Sequence, residues 1–274
     1  MTESQIIYTD AYLTFIDIQG FKEMVLSRYP DKPAVIYEIL KEFKRAQYLC
    51  PSKWSSWEPE IVNFSDSIVR GVSRKESDSL NDEMIINEIQ ALRLMQQNLL
   101  IWRPSFGEEG YSGDPGIFLR GGLSEGLAYL DQSENMAFGP AMIKAYTLGD
   151  IRDTPFRISV DQDMIVEHPH ATEALLKDFI IAKDNDACWF IDYFSVNQFS
   201  RYGLWIELAR LEKVRSILQL QISLHAKDGV LLHKFLWAAQ RHNLAVETSK
   251  QLNEALKAEG LQLSNWLVEI GSFI

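Results

Sequence analysis

Two aspartates carry the chemistry that this sequence could do. Asp17 lies in "LTFIDIQGFKEM" and Asp66 in "NFSDSIV", each an acid inside apolar, β-type sequence. Burying a carboxylate there costs free energy unless a partner answers its charge. Either residue alone reads equally well as a strand acid facing water. The repeated setting argues for a shared site. Two unpaired acids brought together repel, and one would take up a proton. A divalent cation relieves both. Mg²⁺ and Mn²⁺ suit such a pair, because they take few carboxylates and complete their shell with carbonyl, water and phosphate oxygens. Gly20 and helix-type sequence from Phe21 follow Asp17 directly. A helix start offers backbone N–H groups and the positive end of a dipole to phosphates. A metal beside a phosphate cradle is the minimum for triphosphate chemistry.

The flanking sequence must supply the elements that hold these groups. Tyr12 to Ile18 reads as a strand, and "FKEMVLSRYP" as a helix that Pro30 stops. "PAVIYEILKEFKRAQYL" has helical spacing of its apolar residues. "EIVNFSDSIVRGVS" places two apolar arms about a polar centre, which predicts a β-hairpin with Asp66 at its tip region. "LNDEMIINEIQALRLMQQNLLIW" predicts a long amphipathic helix capped by Asn81 or Asp82. "SKWSSWEPE" and the turn-rich "PSFGEEGYSGDPG" read as loops. "IFLRGGLSEGLAYL" is a strand, "FGPAMIKAYTLGD" a turn and helix, and "FRISV" and "ACWFIDYF" are strands. From about Tyr202 the pattern is almost wholly helical. This order predicts an α+β or mixed α/β fold, not an unbroken βαβ repeat.

Composition narrows the function. The 274 residues carry a formal charge of −11, which argues against a nucleic-acid groove. No stretch approaches the ~20 apolar residues of a membrane span. "MTESQIIYTD" has neither a basic n-region nor a cleavable apolar segment, so a cytoplasmic protein is expected. Cys50 and Cys188 lack metal-site spacing and read as reduced structural thiols. The five histidines read as ordinary surface or packing residues, with His168 and His170 flanking Pro169 poorly set for shared ligation. Gly121, Gly122 and Gly126 make no P-loop, since no G-K-[ST] follows. They read as close backbone packing across a subunit interface, or a bulge.

"FIDIQGF", "FSDSIV" and "FLRGGLSEG…FGPAMIKAYTLGD", in that order, resemble the catalytic domain of class III nucleotidyl cyclases over roughly residues 10 to 195. "FSDS", "RGGLSEG", "FGPAMIKAY" and the late "WFIDYF" narrow the resemblance to the pyrimidine cyclases of bacterial anti-phage (Pycsar) systems. The resemblance implies a central, mostly antiparallel sheet flanked by helices at 1–200, with a helical extension packed on it at 201–274. It implies a head-to-tail homodimer that turns UTP, or secondarily CTP, into a 3′,5′-cyclic monophosphate and pyrophosphate. A separate effector protein would respond to the product. Asp17, Asp66 and the Ile18 carbonyl match the ligands of two Mn²⁺ or Mg²⁺ ions, and Gln19, Gly20 and Phe21 match the loop that wraps the phosphates.

The departures concern the base and the helix. Val62 and Met136 stand where purine cyclases read the base with a lysine and an acid, which argues against ATP and GTP. Asn63 is the nearest polar candidate for a base contact. Ile143 and Thr147 replace the asparagine and arginine that serve the transition state. Lys144, or Arg120 on the preceding strand, could restore the lost charge. Lys144 reads equally as a solvated helix charge, and Arg120 as half of a strand-edge salt bridge. A purine cyclase with unusual base contacts, and an inactive nucleotide-binding domain, remain alternatives.

Overall fold

The structure, a computed structural model, describes residues 6–49, 58–102, 116–150, 155–196 and 203–270. Its first elements are strand β1 (Thr9–Ile18), helix α1 (Phe21–Glu23) running into a π-type turn (Met24–Arg28), and helix α2 (Pro33–Ala46). Strands β2 (Glu60–Phe64) and β3 (Ser67–Ser73), helix α3 (Asp78–Ile101), and strands β4 (Leu119–Asp131) and β5 (Met136–Phe138) follow. Next come helix α4 (Pro140–Gly149), strand β6 (Ile158–Val160), helices α5 (Gln162–Glu167) and α6 (Pro169–Lys177), and strands β7 (Ile181–Lys183) and β8 (Trp189–Ile191). Helices α7 (Leu204–Leu224), α8 (Gly229–Thr248) and α9 (Lys250–Ala258) and a 3₁₀ turn (Leu263–Trp266) complete the described chain. Two compact units result, Met1–Gln96 with Phe118–Asp192, and Gln97–Ile117 with Tyr193–Ile274.

The first unit holds a sheet in the order β2-β3-β1-β4-β6-β8-β7, with β5 added to β4. Among the described residues only the β4–β6 pairing is parallel. The fold is therefore α+β with a mostly antiparallel sheet flanked by helices, as expected from the sequence. β1 is central, so both its faces are covered and its sequence is an apolar run rather than an alternation. Its odd-numbered residues Ala11, Leu13 and Phe15 pack with Ala141 and Ala145 of α4. Thr14, on the other face, donates to Glu88 of α3 at 3.4 Å.

α4 lies very close to the sheet. A Cβ on Gly122 would fall 2.2 Å from the Ala145 carbonyl oxygen, and one on Gly121 would fall 2.1 Å from that of Phe15. These glycines serve packing within the chain; the subunit interface suggested for them by the sequence is not needed to explain them. The expected cap of α3 also moves. The helix begins at Asp78, and Asn81 lies inside it. The Asn81 side chain accepts from the Lys75 N–H at 2.8 Å and donates to the Lys75 carbonyl at 2.9 Å, bracing the approach to the helix. The loops at 52–60 and 104–116 lie largely outside the described residues, as does Cys50. Cys188 is a free thiol. Among the described residues no helix is long and apolar enough to cross a membrane.

The second unit is helical. Asp228 caps α8 by accepting from the Val230 and Leu231 N–H groups, and Ser249 caps α9 through the Leu252 N–H. Leu208, Leu211, Val246, Leu252 and Trp266 form its core. His242 is fully buried there. Its Nε2 lies 2.8 Å from the Trp266 carbonyl oxygen, which can only accept, so the proton sits on Nε2. Burial pushes the imidazole down to about 4, against a smaller opposing pull from that hydrogen bond. The folded state thus resists a proton that the unfolded chain takes near its ordinary value of ~6.5. Stability is whole above that pH and falls as the pH drops from there toward about 4, by on the order of 3 kcal/mol in total. Urea unfolding at several pH values should show this loss, and His242→Gln, which keeps a donor but cannot titrate, should flatten the profile.

Candidate active site at the end of β1

Strand register assembles the site. Asp17 stands opposite Ser67 on β3 and opposite Arg120 on β4. Directly paired residues share a sheet face, so all three side chains lie on the face that carries α4. Ser67 Oγ donates to Asp17 Oδ1 at 3.1 Å. Arg120 Nε donates to Asp17 Oδ2 at 3.0 Å.

The predicted hairpin is present, and Asp66 is the second residue of its two-residue turn, between the paired Phe64 and Ser67. Ser65 takes a left-handed φ of 50°, the kind of conformation that two-residue hairpin turns require. The Ile18 N–H donates to the Asp66 carbonyl at 3.1 Å, which ties the turn to the end of β1. The two aspartates sense each other. Burial holds the Asp17 carboxyl above its ordinary range; Arg120 and Ser67 pull it down, and the Asp66 charge pushes it up again.

Immediately after Asp17 the chain turns. Gln19 N–H donates to the Phe118 carbonyl at 2.9 Å. Gly20 adopts φ 76°, a left-handed conformation that glycine takes without strain. The Gly20 carbonyl then accepts from the Met24 N–H at 3.0 Å as the helix starts at Phe21. Gln19 Oε1 is buried and has no hydrogen-bond partner.

Arg120 answers one open question. It is a salt-bridge residue, but its partner is Asp17 itself, with Asp150, just past the end of α4, 3.6 Å from its other side. Tyr146 bonds to Asp150, whose charge raises the phenol above its ordinary range. The Tyr146 ring meets Phe15 edge-on at 5.1 Å between centroids. Asp150 and Tyr146 escaped the sequence reading because nothing in "KAYTLGD" marks a helix end as facing β1.

Lys144 is placed differently. Its ammonium contacts Asp161 and lies 2.7 Å from Asp163, and hydrogen bonds from both acids raise its pKa. Asn63 is not brought to Asp17. It pairs with Ile68, and Ile68 pairs with Ile16, so its side chain stands on the face opposite Asp17. Its backbone is clasped by Asn135, through an Asn63 N–H to Oδ1 bond of 2.9 Å and an Nδ2 to Asn63 carbonyl bond of 2.8 Å. The Asn63 Oδ1 is buried without a partner. Val62 shares the Asp17 face and is wholly buried beside Val69 in the core. Met136, on β5, is exposed. Ile143 is exposed on α4, and the Thr147 hydroxyl donates back to the Ile143 carbonyl at 2.8 Å.

The donor set fits a hard divalent ion. Asp17 and Asp66 offer carboxylate oxygens, and the Asp17 carboxyl is held above its ordinary range by burial even with Arg120 bound. That residual penalty is what a cation relieves, and oxygen donors are what Mg²⁺ and Mn²⁺ select. His168 departs from the expectation of an ordinary surface or packing histidine in one respect, its acidic neighbours. His168 is buried and faces carboxylates well away in sequence, Glu125 and Asp82.

No protein-family model matches this chain, and no curated protein matches it. Two of the solved structures to which this chain is similar are cyclase structures. The monomeric guanylyl cyclase domain of the RhoGC fusion protein from the aquatic fungus Blastocladiella emersonii is 14% identical, with a TM-score of 0.45 over 67% of this chain and 95% of that one. The adenylyl cyclase CyaB from P. aeruginosa is 13% identical, with a TM-score of 0.46 over 67% of this chain and 94% of that one. Likeness at this level assigns no activity; the functional reading rests on the residues at the end of β1.

Proposed function

We propose that this chain is a nucleotidyl cyclase of the class III type that converts UTP to 3′,5′-cyclic UMP and pyrophosphate, as a second messenger in bacterial anti-phage defence. The observation that carries this reading is the tie between the Asp66 turn and the end of β1 next to Asp17, beside the left-handed turn at Gly20. Asp17, Asp66 and the Ile18 carbonyl would hold two Mn²⁺ or Mg²⁺ ions. Bound there, such ions lower the pKa of the ribose 3′-hydroxyl and neutralise the leaving pyrophosphate. The triphosphate lies over residues 19 to 21, where backbone N–H groups at the helix start meet its oxygens. The 3′-oxygen bonds to the α-phosphorus, the bond from that phosphorus to the bridging oxygen breaks, and the hydroxyl proton passes to solvent.

Arg120 is the better candidate for the phosphate charge. It already sits on Asp17, and an ion taken up by that carboxylate would free it for the triphosphate. Lys144 would have to leave Asp161 and Asp163 first. A homodimer fits the exposed apolar side chains of Leu127, Met136, Phe138, Ile143 and Tyr146 on the adjoining elements β4, β5 and α4, since a soluble monomer seldom leaves such a set uncovered. The cyclic nucleotide would act on a separate effector protein. Choosing uracil over cytosine follows the family resemblance, and CTP is the second substrate to test.

The opposing reading, a nucleotide-binding domain without turnover, draws on α4. Ile143 offers no polar group, and the Thr147 hydroxyl is already bonded within the helix. Incubation with Mn²⁺ and each of the four nucleoside triphosphates separates these. Cyclic UMP with pyrophosphate is the expected main product. Cyclic AMP or GMP as the main product overturns the pyrimidine assignment, and no product from any triphosphate overturns catalysis.

A further inference from the structure

We propose a second metal site in this chain, built by His168, Glu125 and Glu167 and suited to a transition ion such as Zn²⁺. It is independent of the cyclase reading. Glu125 comes from β4, and Glu167 and His168 from the junction between α5 and α6. One ligand atom from each of the three lies within 4.8 Å of the others. That separation lets small side-chain rotations bring all three to a shared ion, with bonds of about 2.0–2.2 Å to nitrogen and carboxylate oxygen.

Each part of the imidazole is engaged in a way that suits ligation. Nε2 lies 2.8 Å from Glu125 Oε2, with the Tyr12 hydroxyl 3.5 Å away. Nδ1 lies 3.6 Å from Asp82 Oδ1 on α3. A metal-bound histidine commonly directs its second ring nitrogen, as N–H, at a carboxylate, which fixes the ring and raises its basicity. Asp82 stands where that partner belongs. Asp82, Glu125 and Glu167 lie about the ring, and Arg74 pairs with Glu125 through Oε1. Both ring nitrogens face carboxylates, so an ion on Nε2 leaves Nδ1 to meet Asp82. Imidazole with carboxylates favours Zn²⁺ or a neighbouring first-row ion over Mg²⁺. The site would clip the α5–α6 junction onto the middle of β4.

The experiment is a Zn²⁺ titration of the full chain, followed by calorimetry and by the midpoint of thermal unfolding. Glu167 is exposed, so Glu167→Gln removes a ligand at little risk to folding, with His168→Asn as the second variant. The wild-type chain should bind Zn²⁺ and unfold at a higher temperature in its presence. Glu167→Gln should weaken binding by about ten-fold or more and lose the shift, while Asp66→Asn should keep it. Failure of the wild-type chain to bind Zn²⁺, or equal binding by the wild type and both variants, would overturn the site. Neither result touches the nucleotide assay, so failure here and failure of the cyclase reading can be told apart.

Discussion

Asp66→Ala should abolish cyclic nucleotide formation from every triphosphate while leaving the fold in place. The anchoring bond of the hairpin turn uses the Asp66 carbonyl, which alanine retains, so the substitution deletes the carboxylate and little else. With one of the two proposed metal carboxylates gone, the charge developing on the reacting phosphate would lose its fixed counter-charge. Loss of a single preorganised electrostatic contact of that kind costs about 10²–10³ in rate, and loss of an ion should cost at least as much. The check is product formation at saturating Mn²⁺ and UTP, with circular dichroism and the unfolding midpoint to establish an unchanged fold. Activity within a few-fold of wild type would remove Asp66 from the site.

The second large effect is on stability. Arg70 and Glu88 form a fully buried pair on the α3 face of β3. Arg70 Nε donates to Oε1 at 2.8 Å and Nη2 to Oε2 at 3.0 Å, and Nη1 reaches the Gln47 carbonyl. Such a pair adds little net stability over apolar residues of the same volume, but removing one partner strands the other charge. Glu88→Ala should therefore destabilise the first unit by about 3–5 kcal/mol, read from urea unfolding. The paired replacement Arg70→Met with Glu88→Leu should recover much of that loss. A single-variant cost under about 1 kcal/mol would show that the charge is answered elsewhere.

What the sequence made legible here follows from periodicity. An acid inside an apolar strand is visible as a pattern, and so is a polar centre between two β arms. That is why Asp17, Asp66 and the Gly20 turn were found. Register across strands is not visible in one sequence, and it decides the rest. Arg120 meets Asp17 because β4 aligns them, whereas Asn63 faces away because it is one residue out of phase with Val62. Strands of three residues such as β5 and β7 carry too few alternations to stand out. Helix-facing contacts are equally hidden, and so Lys144 found Asp161 and Asp163. His168 was passed over although a signal existed. Glu125 is an acid inside apolar β sequence, "RGGLSEGLAYL", the same anomaly that marked Asp17. His168 before Pro169 marks a helix boundary, since a residue before proline is biased away from the helical region.

The central claim is that Asp17 and Asp66 hold the metal ions of a triphosphate site. A crystal structure with Mn²⁺ and a UTP analogue resistant to cleavage, with anomalous scattering recorded for manganese, tests it most directly. The account predicts manganese against both carboxylates and the Ile18 carbonyl, phosphates over residues 19 to 21, and Arg120 turned from Asp17 to the nucleotide. Manganese or triphosphate bound elsewhere, with the Asp17–Arg120 pair intact, would contradict it.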